Sequence, residues 1–255
     1  MDYHATRALS ACQYDEQRLK GADMPEQNEF NQPVGDIVPH WKPCEYPSKN
    51  KMIGKYCTLE LLDINKHAAA LLSAISFENK GESWTYLSYG PFYSIDEFQP
   101  WLQDVINQSD TILYAIIDQK SNQAIGIGGY LRINPQQGSI EVGHLHFSKL
   151  LKQTSLATEA IYLLTSYVFD ELNYRRYEWK CNSLNEPSRN AALRYGFQFE
   201  GIFRQCNVFK NRNRDTAWFS IINSEWPALK IKFEKWLDES NFDRDGKQIK
   251  RLQDC

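Results

Sequence analysis

Three consecutive segments with strand patterning, joined by hairpin turns, limit the fold more than any other feature of the sequence. Residues 112–118 and 124–134 are rich in β-branched and other apolar residues, and a short polar turn separates them. Pro135 and Gly138 predict a second hairpin turn, which leads into a third strand over residues 139–147. Because strands joined by hairpins pair as antiparallel neighbours, the sequence predicts a sheet that contains three antiparallel strands in succession.

Helical patterns alternate with strand patterns on both sides of these hairpins. The strongest predicts a helix over residues 156–172, where apolar residues recur every three or four positions as one buried stripe: Ala160, Ile161, Leu164, Tyr167, Val168 and Leu172. The other predicted elements are strands over residues 56–61, 176–181, 197–209 and 216–222 and helices over residues 67–76, 95–107, 187–195 and 226–237. This mixture predicts an α/β domain.

The sequence also predicts where the folded domain begins and ends. Repeated prolines before residue 50 break helical patterns, so residues 1–50 predict an irregular extension with one short helix over residues 14–20. We expect the folded domain over residues 51–240. Residues 241–255 are rich in charged side chains and predict a frayed C-terminal tail.

Charge and composition exclude several classes of protein. Lysine and arginine number 29 against 32 aspartates and glutamates, and the net charge of −3 predicts no partner among nucleic acids or anionic membranes. No apolar run approaches the ~20 residues that span a bilayer, and the first residues lack the pattern of a secretory signal. The six cysteines form no CxxC pair, so we expect free thiols and a cytoplasmic protein.

Four short stretches carry a resemblance to a known family. They are Ser139-Ile-Glu-Val-Gly-His-Leu-His-Phe147, Ala157-Thr158-Glu159-Ala160, Asn185-Glu-Pro-Ser188 and Tyr195-Gly-Phe-Gln-Phe-Glu-Gly201. With the order of the elements, they resemble the GNAT superfamily of N-acetyltransferases, in the branch that includes enzymes acetylating the N-termini of ribosomal proteins. The resemblance implies an α/β fold with a mixed sheet of about seven strands, splayed between the fourth and fifth strands and flanked by helices.

The same resemblance implies a binding site for acetyl-CoA as the acetyl donor. In the family the pantetheine arm pairs with the edges of the splayed strands, which here are residues 139–147 and 176–181. The pyrophosphate lies on backbone N–H groups at the start of the next helix. The residues implied are Leu145, Phe147, Lys152, Gln153, Thr154, Ser155, Ala157, Thr158 and Asn185.

The phosphate-binding turn departs from the family pattern. The usual turn is Gln/Arg-x-x-Gly-x-Gly/Ala, and the first of its glycines is missing here. Ser155 and Ala157 are the nearest small residues. Thr154 and Ser155 can cap the helix and offer hydroxyl groups to a phosphate, and Lys152 adds a positive charge.

Acetyl transfer from a thioester to an amine needs a base for the amine, donors for the oxyanion and an acid for the thiolate. Glu141 is the predicted base, and strict alternation places it on the face of Leu145 and Phe147 unless a bulge at Gly143 intervenes. Glu178 is the alternative base. Because Arg176, Glu178 and Lys180 share one face of a strand, an internal set of ion pairs explains these charges equally well.

The acid has two candidates of nearly equal weight. Ser188 matches the serine that the resemblance places near the thioester sulfur, whereas Tyr195 has a pKa closer to that of a thiolate. Ser188 and Asn185 also have a plain structural role as residues that begin a helix. The oxyanion donor is expected among the backbone N–H groups near residues 145–147.

Three further features have weaker functional interpretations. His144 and His146 share a strand face, but no complementary ligands accompany them, so we expect packing and no metal site. Cys181 has no histidine near it in sequence and is expected to be a core residue rather than a nucleophile. The resemblance assigns acceptor recognition to residues 81–93 and 205–215, of which 210–215 form either a solvated hairpin tip or a contact with an acidic part of the substrate or cofactor.

The sequence therefore predicts an N-acetyltransferase that moves an acetyl group from acetyl-CoA directly to a primary amine. The acceptor is a protein N-terminus or a small molecule. The alternative is a non-catalytic acyl-CoA-binding module of the same fold, which the altered phosphate-binding turn favours. The sequence does not specify the oligomeric state.

Overall fold

A computed structural model describes residues 26–76 and 79–255 of the chain, which form two units divided after residue 42. In residues 26–42, Gln27 and Pro33 form an isolated bridge, and the Asn28 side chain accepts hydrogen bonds from the backbone N–H groups of Phe30 and Gln32. The helix predicted over residues 14–20 lies outside the described residues.

The larger unit is built on one eight-stranded sheet. Its strands are β1 (Lys51–Ile53), β2 (Cys57–Leu61), β3 (Ile112–Asp118), β4 (Gln123–Asn134), β5 (Ser139–Phe147), β6 (Arg176–Asn182), β7 (Gln198–Phe209) and β8 (Arg212–Ile222). The order across the sheet is β1-β2-β3-β4-β5-β6-β8-β7, with β5 and β6 parallel and the other neighbours antiparallel. The mixed sheet is confirmed. The strand beyond the predicted seven is β1, which is too short to show a periodic pattern.

Five α-helices cover the two faces of the sheet. They are α1 (Ile64–Ser76), α2 (Ile95–Ile106), α3 (Ser155–Ser166), α4 (Glu186–Arg194) and α5 (Trp226–Leu237). The alternation of β3 shows the two faces: Tyr114 and Ile116 pack in the core on the α3 and α5 side, whereas Leu113 and Ala115 pack with α1 and α2. The long helix predicted over residues 156–172 ends as a π-helical turn, Tyr167–Glu171.

The buried carboxylate of Glu159 joins helix α3 to the start of β2. It accepts hydrogen bonds from the backbone N–H groups of Lys55, Tyr56 and Cys57 at 2.6, 2.7 and 2.7 Å. Gly54 makes room for it, because a Cβ atom there would lie 2.4 Å from the Glu159 carboxyl carbon. The charge of Glu159 is therefore satisfied by backbone donors, which fixes α3 against the start of β2.

The C-terminal residues are ordered against the domain, so the prediction of a frayed tail was wrong. Leu252 is buried in the core beside α5. The side chain of Asn241 donates to the carbonyl oxygens of Trp236 and Lys250, and Trp236 donates to Gln248. The segment is highly charged, so its composition did not indicate that Leu252 would be buried or that these hydrogen bonds would form.

We predict that Glu159→Gln lowers the free energy of unfolding by about 2–4 kcal/mol. The amide would turn an NH₂ donor toward backbone N–H donors and remove the charge that they stabilise. Urea denaturation of the variant measures the loss. Glu234→Gln, at an exposed position of α5, is the matched control, expected to stay within about 0.5 kcal/mol of the wild type. Equal stabilities of the two variants would contradict the role given to Glu159.

Candidate active site

Strands β5 and β6 pair along only part of their length. Their parallel register runs from Ser139 opposite Arg176 to Val142 opposite Trp179. Beyond that point, residues 143–147 continue along β4 and residues 180–182 along β8. The carboxyl ends of β5 and β6 therefore part, and their facing edges can pair with an extended ligand.

A β-bulge lies in β5 at the point where the strands part. Gly143 is opposite Gly129 of β4, but His146 is opposite Ile127, so β5 holds one more residue than β4 in this interval. His144 adopts a φ of 48° there. The bulge anticipated near Gly143 is therefore present, and it reverses the direction of the side chains that follow.

The reversal separates Glu141 from Leu145 and Phe147, contrary to strict alternation. Val142 packs in the core on the α3 side, so its neighbour Glu141 lies on the opposite face. After the bulge, Leu145 and Phe147 pack against that same α3-side core, whereas His144 contacts the side chains of Tyr89 and Trp101. Glu141, His144 and His146 consequently share the face of the sheet opposite α3, which we call the polar face.

Helix α3 is the next helix after the parted end of β5, and residues 148–154 connect the two. Thr154 caps it, accepting a hydrogen bond from the N–H of Ala157 at 3.3 Å and donating one to the carbonyl oxygen of Leu151 at 2.6 Å. Gln153 precedes the cap with a φ of 62°. Since the first turn of a helix leaves N–H groups without helical partners, this end of α3 can hold an anion even without the family's first glycine.

A cation that the sequence analysis did not identify stands beside this helix start. Arg194 of α4 donates from both Nη1 and Nη2 to the hydroxyl oxygen of Thr158, each at 3.1 Å. The predicted cofactor-binding residue Thr158 is itself buried, and its hydroxyl serves to position Arg194. In the sequence, Arg194 is one arginine at the end of a predicted helix. Its role can be inferred only when the fold brings α4 next to the start of α3.

Ser188 and Asn185 lie at the start of α4, beside β6. Asn185 Oδ1 accepts a hydrogen bond from the Ser188 N–H at 3.2 Å, which is the helix-capping role foreseen for it. Ser188 Oγ accepts one from Trp179 Nε1 at 3.0 Å and also contacts Cys181. Burial raises the pKa of the Cys181 thiol, which argues against a nucleophilic thiolate.

Tyr195 lies deeper in the core than Ser188. Its ring stacks on Phe233 of α5, with centroids 6.2 Å apart. It is 6% exposed, and burial raises the pKa of its hydroxyl. The structure thus places the two candidate acids in different surroundings, with Ser188 beside the parted strand and Tyr195 against α5.

The predicted charged residues form a chain of ion pairs on the polar face. Glu141 Oε2 lies 2.6 Å from Arg132 Nη1 and 2.9 Å from Lys180 Nζ. Lys180 also pairs with Glu178 at 2.7 Å, and Glu178 pairs with Arg176 at 2.6 Å. Each carboxylate is therefore bound by two cations, as the ion-pair alternative predicted.

An aromatic cluster encloses the two histidines of the bulge. Tyr89 Oη lies 3.0 Å from His144 Nδ1, and the ring of Trp84 packs edge-on against His146 at 4.2 Å. Burial lowers the pKa of both histidines to about 4, with a smaller contribution from Arg132 at His144 and from Lys152 at His146. Both imidazoles are therefore neutral near pH 7.

The β7–β8 hairpin forms the end of the sheet next to β6 and contributes to the polar face. Its turn consists of Lys210 and Asn211, and residues 212–215, predicted as part of the tip, belong to β8. Lys210 Nζ donates to the Trp84 carbonyl oxygen at 2.9 Å, so the hairpin reaches the aromatic cluster. Lys180 Nζ lies 3.7 Å from the centroid of the Trp218 ring. The two segments expected to recognise an acceptor, residues 81–93 and 205–215, therefore contact each other at the polar face.

Within residues 26–76 and 79–255, no group of three or more His, Cys, Asp or Glu side chains is placed to hold a metal ion. The five cysteines in this part of the chain, Cys44, Cys57, Cys181, Cys206 and Cys255, are free thiols. None of its helices combines the length and apolar character needed to cross a membrane.

Comparison with known sequences places this geometry among acetyltransferases. A family model described as an acetyltransferase (GNAT) domain matches residues 58–198. The uncharacterized N-acetyltransferase p20 of Bacillus licheniformis is 28% identical over 148 residues, which cover 55% of this chain and 80% of that protein. The ribosomal-protein-serine acetyltransferase of Escherichia coli is 26% identical over 107 residues, 42% of this chain and 59% of that protein.

Solved structures extend the comparison. A GCN5-related N-acetyltransferase from Brucella melitensis is 45% identical, with a TM-score of 0.83 over 85% of this chain and 98% of that chain. The ribosomal L7/L12 α-N-protein acetyltransferase RimL, solved in complex with coenzyme A, has a TM-score of 0.55 at 19% identity over 67% of this chain and 96% of that chain. The second likeness is one of fold alone.

We predict that the protein loses stability as the pH falls from about 6.5 to about 4. Unfolded histidines take up protons near pH 6.5, whereas His144 and His146 resist protonation until the pH approaches 4, so acid favours the unfolded state. Thermal unfolding across this range measures the effect. The double variant His144→Gln/His146→Gln should flatten the dependence, whereas His40→Gln, at an exposed site, should not. A double variant as sensitive to pH as the wild type would refute the assignment.

Proposed function

The chain belongs to the GNAT family of acetyltransferases and is an acetyl-CoA-dependent N-acetyltransferase, and we propose that it transfers the acetyl group directly to the primary amine of a small molecule or a protein N-terminus. The observation that carries this proposal is the parting of β5 and β6 between the start of α3 and the polar face. The cytoplasmic location expected from the sequence stays a prediction.

The cofactor-binding residues are proposed from their place around this gap. Leu145 and Phe147 lie on the parted end of β5, where an extended pantetheine arm can pair with backbone groups. The turn and first helical residues predicted for the pyrophosphate are Lys152, Gln153, Thr154, Ser155, Ala157 and Thr158, to which we add Arg194. Asn185 and Ser188 approach from the β6 side.

We assign the acid role to Ser188 rather than Tyr195. Ser188 Oγ already accepts a hydrogen bond from Trp179, which leaves its own proton to donate toward a leaving thiolate. It contacts Cys181 on the strand that forms one side of the gap. Tyr195 is stacked in the core against Phe233, and its hydroxyl interacts with Thr158 and Arg194, which are among the residues proposed for the pyrophosphate.

We assign the base role to His144 and a positioning role to Glu141. The Glu141 carboxylate is bound by Arg132 and Lys180, which compete with an incoming ammonium group for it. The His144 imidazole is neutral, lies at the bulge and contacts Tyr89 through Nδ1. With Nδ1–H donating to the Tyr89 oxygen, Nε2 carries the lone pair that accepts the amine proton, while backbone N–H groups near the bulge hold the oxyanion.

We predict that acetyl-CoA and CoA bind with micromolar affinity in calorimetry and that an adenine nucleotide lacking the pantetheine arm binds at least about tenfold more weakly. The arm supplies the pairing with β5, so its removal should remove most of the affinity. An amine screen that records thiol release then tests turnover. Absence of binding by acetyl-CoA and CoA would overturn the proposed site.

We predict that Ser188→Ala lowers kcat by about 10²–10⁴-fold and leaves the affinity for acetyl-CoA unchanged, because the thiolate then leaves without a proton donor. Steady-state thiol release and calorimetry measure the two quantities. Ser121→Ala, in the exposed β3–β4 turn, is the matched control and should retain full turnover. A Ser188→Ala enzyme of unchanged kcat would return the acid role to Tyr195.

His144→Gln should lower kcat by a similar factor and remove the acidic limb of the pH profile near pH 4, because glutamine cannot take up the amine proton. Glu141→Gln should retain that limb and act mainly through the position of Lys180. The profile of kcat/KM against pH separates the two residues. Loss of turnover in Glu141→Gln with an active His144→Gln would restore Glu141 as the base.

A further inference from the structure

Strand β8 presents three buried polar atoms that have no hydrogen-bond partner among residues 26–76 and 79–255. They are Arg214 Nε, Thr216 Oγ1 and Trp218 Nε1. Buried polar groups are satisfied in nearly all folded proteins, so three unsatisfied atoms on alternate residues of one strand need an explanation. A polar ligand bound along this strand would provide one.

The three side chains lie on the polar face rather than on the face of α3. Residues 214, 216 and 218 alternate with Ala217, which packs in the α3-side core. The Trp218 ring packs under Lys180 Nζ, whose ammonium group pairs with Glu141. The polar face therefore extends from Glu141 and His144 to these three side chains of β8.

The chemistry of these atoms favours an anion. Arg214 Nε and Trp218 Nε1 are hydrogen-bond donors, and the Thr216 hydroxyl can donate as well. Among the residues that the structure describes, no carboxylate lies within ion-pair distance of Arg214, in contrast to Arg132, Arg176 and Lys180. Burial lowers the pKa of the Arg214 guanidinium, so the charge lacks full compensation there.

Arg214 is held in place for such a contact. Its guanidinium lies 4.9 Å from the centroid of the Phe209 ring, which supports one side of the planar group. The unsatisfied Nε–H belongs to the edge with which an arginine binds a carboxylate through two parallel hydrogen bonds. Arg214 also lies on the face of the sheet opposite α3, whose start is proposed to hold the pyrophosphate of the cofactor.

We propose that Arg214, Thr216 and Trp218 form a carboxylate-binding subsite, so that the acceptor is a small amine that carries a carboxylate, such as an amino acid. The inference rests on the proposed function and narrows its acceptor class. The carboxylate accepts hydrogen bonds from β8 while the amine end lies toward His144. The subsite disfavours polyamines, whose additional positive charges would meet Arg214 and Lys180.

The test compares matched amines as acceptors for the wild-type enzyme. Each L-amino acid is assayed beside its carboxamide and its decarboxylated amine, and kcat/KM is corrected for the fraction of neutral amine at the assay pH. The free acids should exceed both analogues by about 10- to 100-fold, the value of one charged hydrogen-bonded contact. Equal rates for acid and amide would overturn the proposal and favour a peptide N-terminus, and preference for polyamines would also overturn it.

Variants locate the preference on β8. Arg214→Gln should raise the acceptor KM by about 10- to 100-fold and leave the acetyl-CoA KM unchanged, with partial recovery in Arg214→Lys. Trp218→Phe removes the Nε1 donor and part of the ring that packs on Phe203 and under Lys180, and it should cause a smaller loss. Arg212→Gln, at an exposed position on the same strand, is the matched control. A preference for acids that survives Arg214→Gln, or an effect on the acetyl-CoA KM instead, would refute the subsite.

These outcomes are distinct from failure of the proposed function. If acetyl-CoA binds and amines without a carboxylate are acetylated at least as fast as the matched free acids, the enzyme assignment stands and the carboxylate subsite is wrong. If neither acetyl-CoA nor CoA binds, the proposed site and the acceptor class fall together. Circular dichroism of Arg214→Gln and Trp218→Phe checks that each variant retains the wild-type fold.

Discussion

The parting of two parallel strands is the constraint on which the rest of this protein depends. β5 and β6 pair over four residues and then diverge, because a bulge at His144 turns the end of β5 and each strand continues along its other neighbour. The gap exposes backbone groups in the middle of a sheet, where neighbouring strands would otherwise satisfy them. A ligand that supplies an extended backbone-like arm can take that place. The starts of α3 and α4 lie near this gap because short connections join them to the ends of β5 and β6.

The sheet also divides the chemistry between its two faces. The α3 side holds the apolar core. It also holds the capped start of α3 and Arg194, which suit the phosphates of a cofactor. The polar face holds alternating charges that satisfy one another, two neutral histidines and the unsatisfied donors of β8. A thioester reaching through the gap would meet an amine from the polar face. The proposed base, His144, lies at the bulge, where the two proposed binding sites would meet.

Local patterns predicted most of the fold. Alternation and turn chemistry marked the hairpins of β3, β4 and β5, and the apolar stripe marked α3, because these signals depend on neighbours a few residues apart. The short stretches around Glu141, Asn185 and Tyr195 were sufficient to indicate the family. The strand β1 was not predicted, because its three residues are too few to show the alternation of apolar and polar side chains. The C-terminal segment was misjudged because one buried leucine, Leu252, outweighs the charges around it.

The sequence by itself determined the class of fold, the order of its elements and the kind of reaction, because periodicity and short motifs are local. Tertiary structure alone decided which face each site residue occupies. The bulge at His144 reversed the side chains after it and placed Glu141 with the histidines rather than with Leu145. It also decided which charges are paired: Glu141 lies within ion-pair distance of two cations, whereas Arg214 has no carboxylate within that distance in the described part of the chain. Such pairings join residues far apart in sequence, and no local pattern encodes the distance between them.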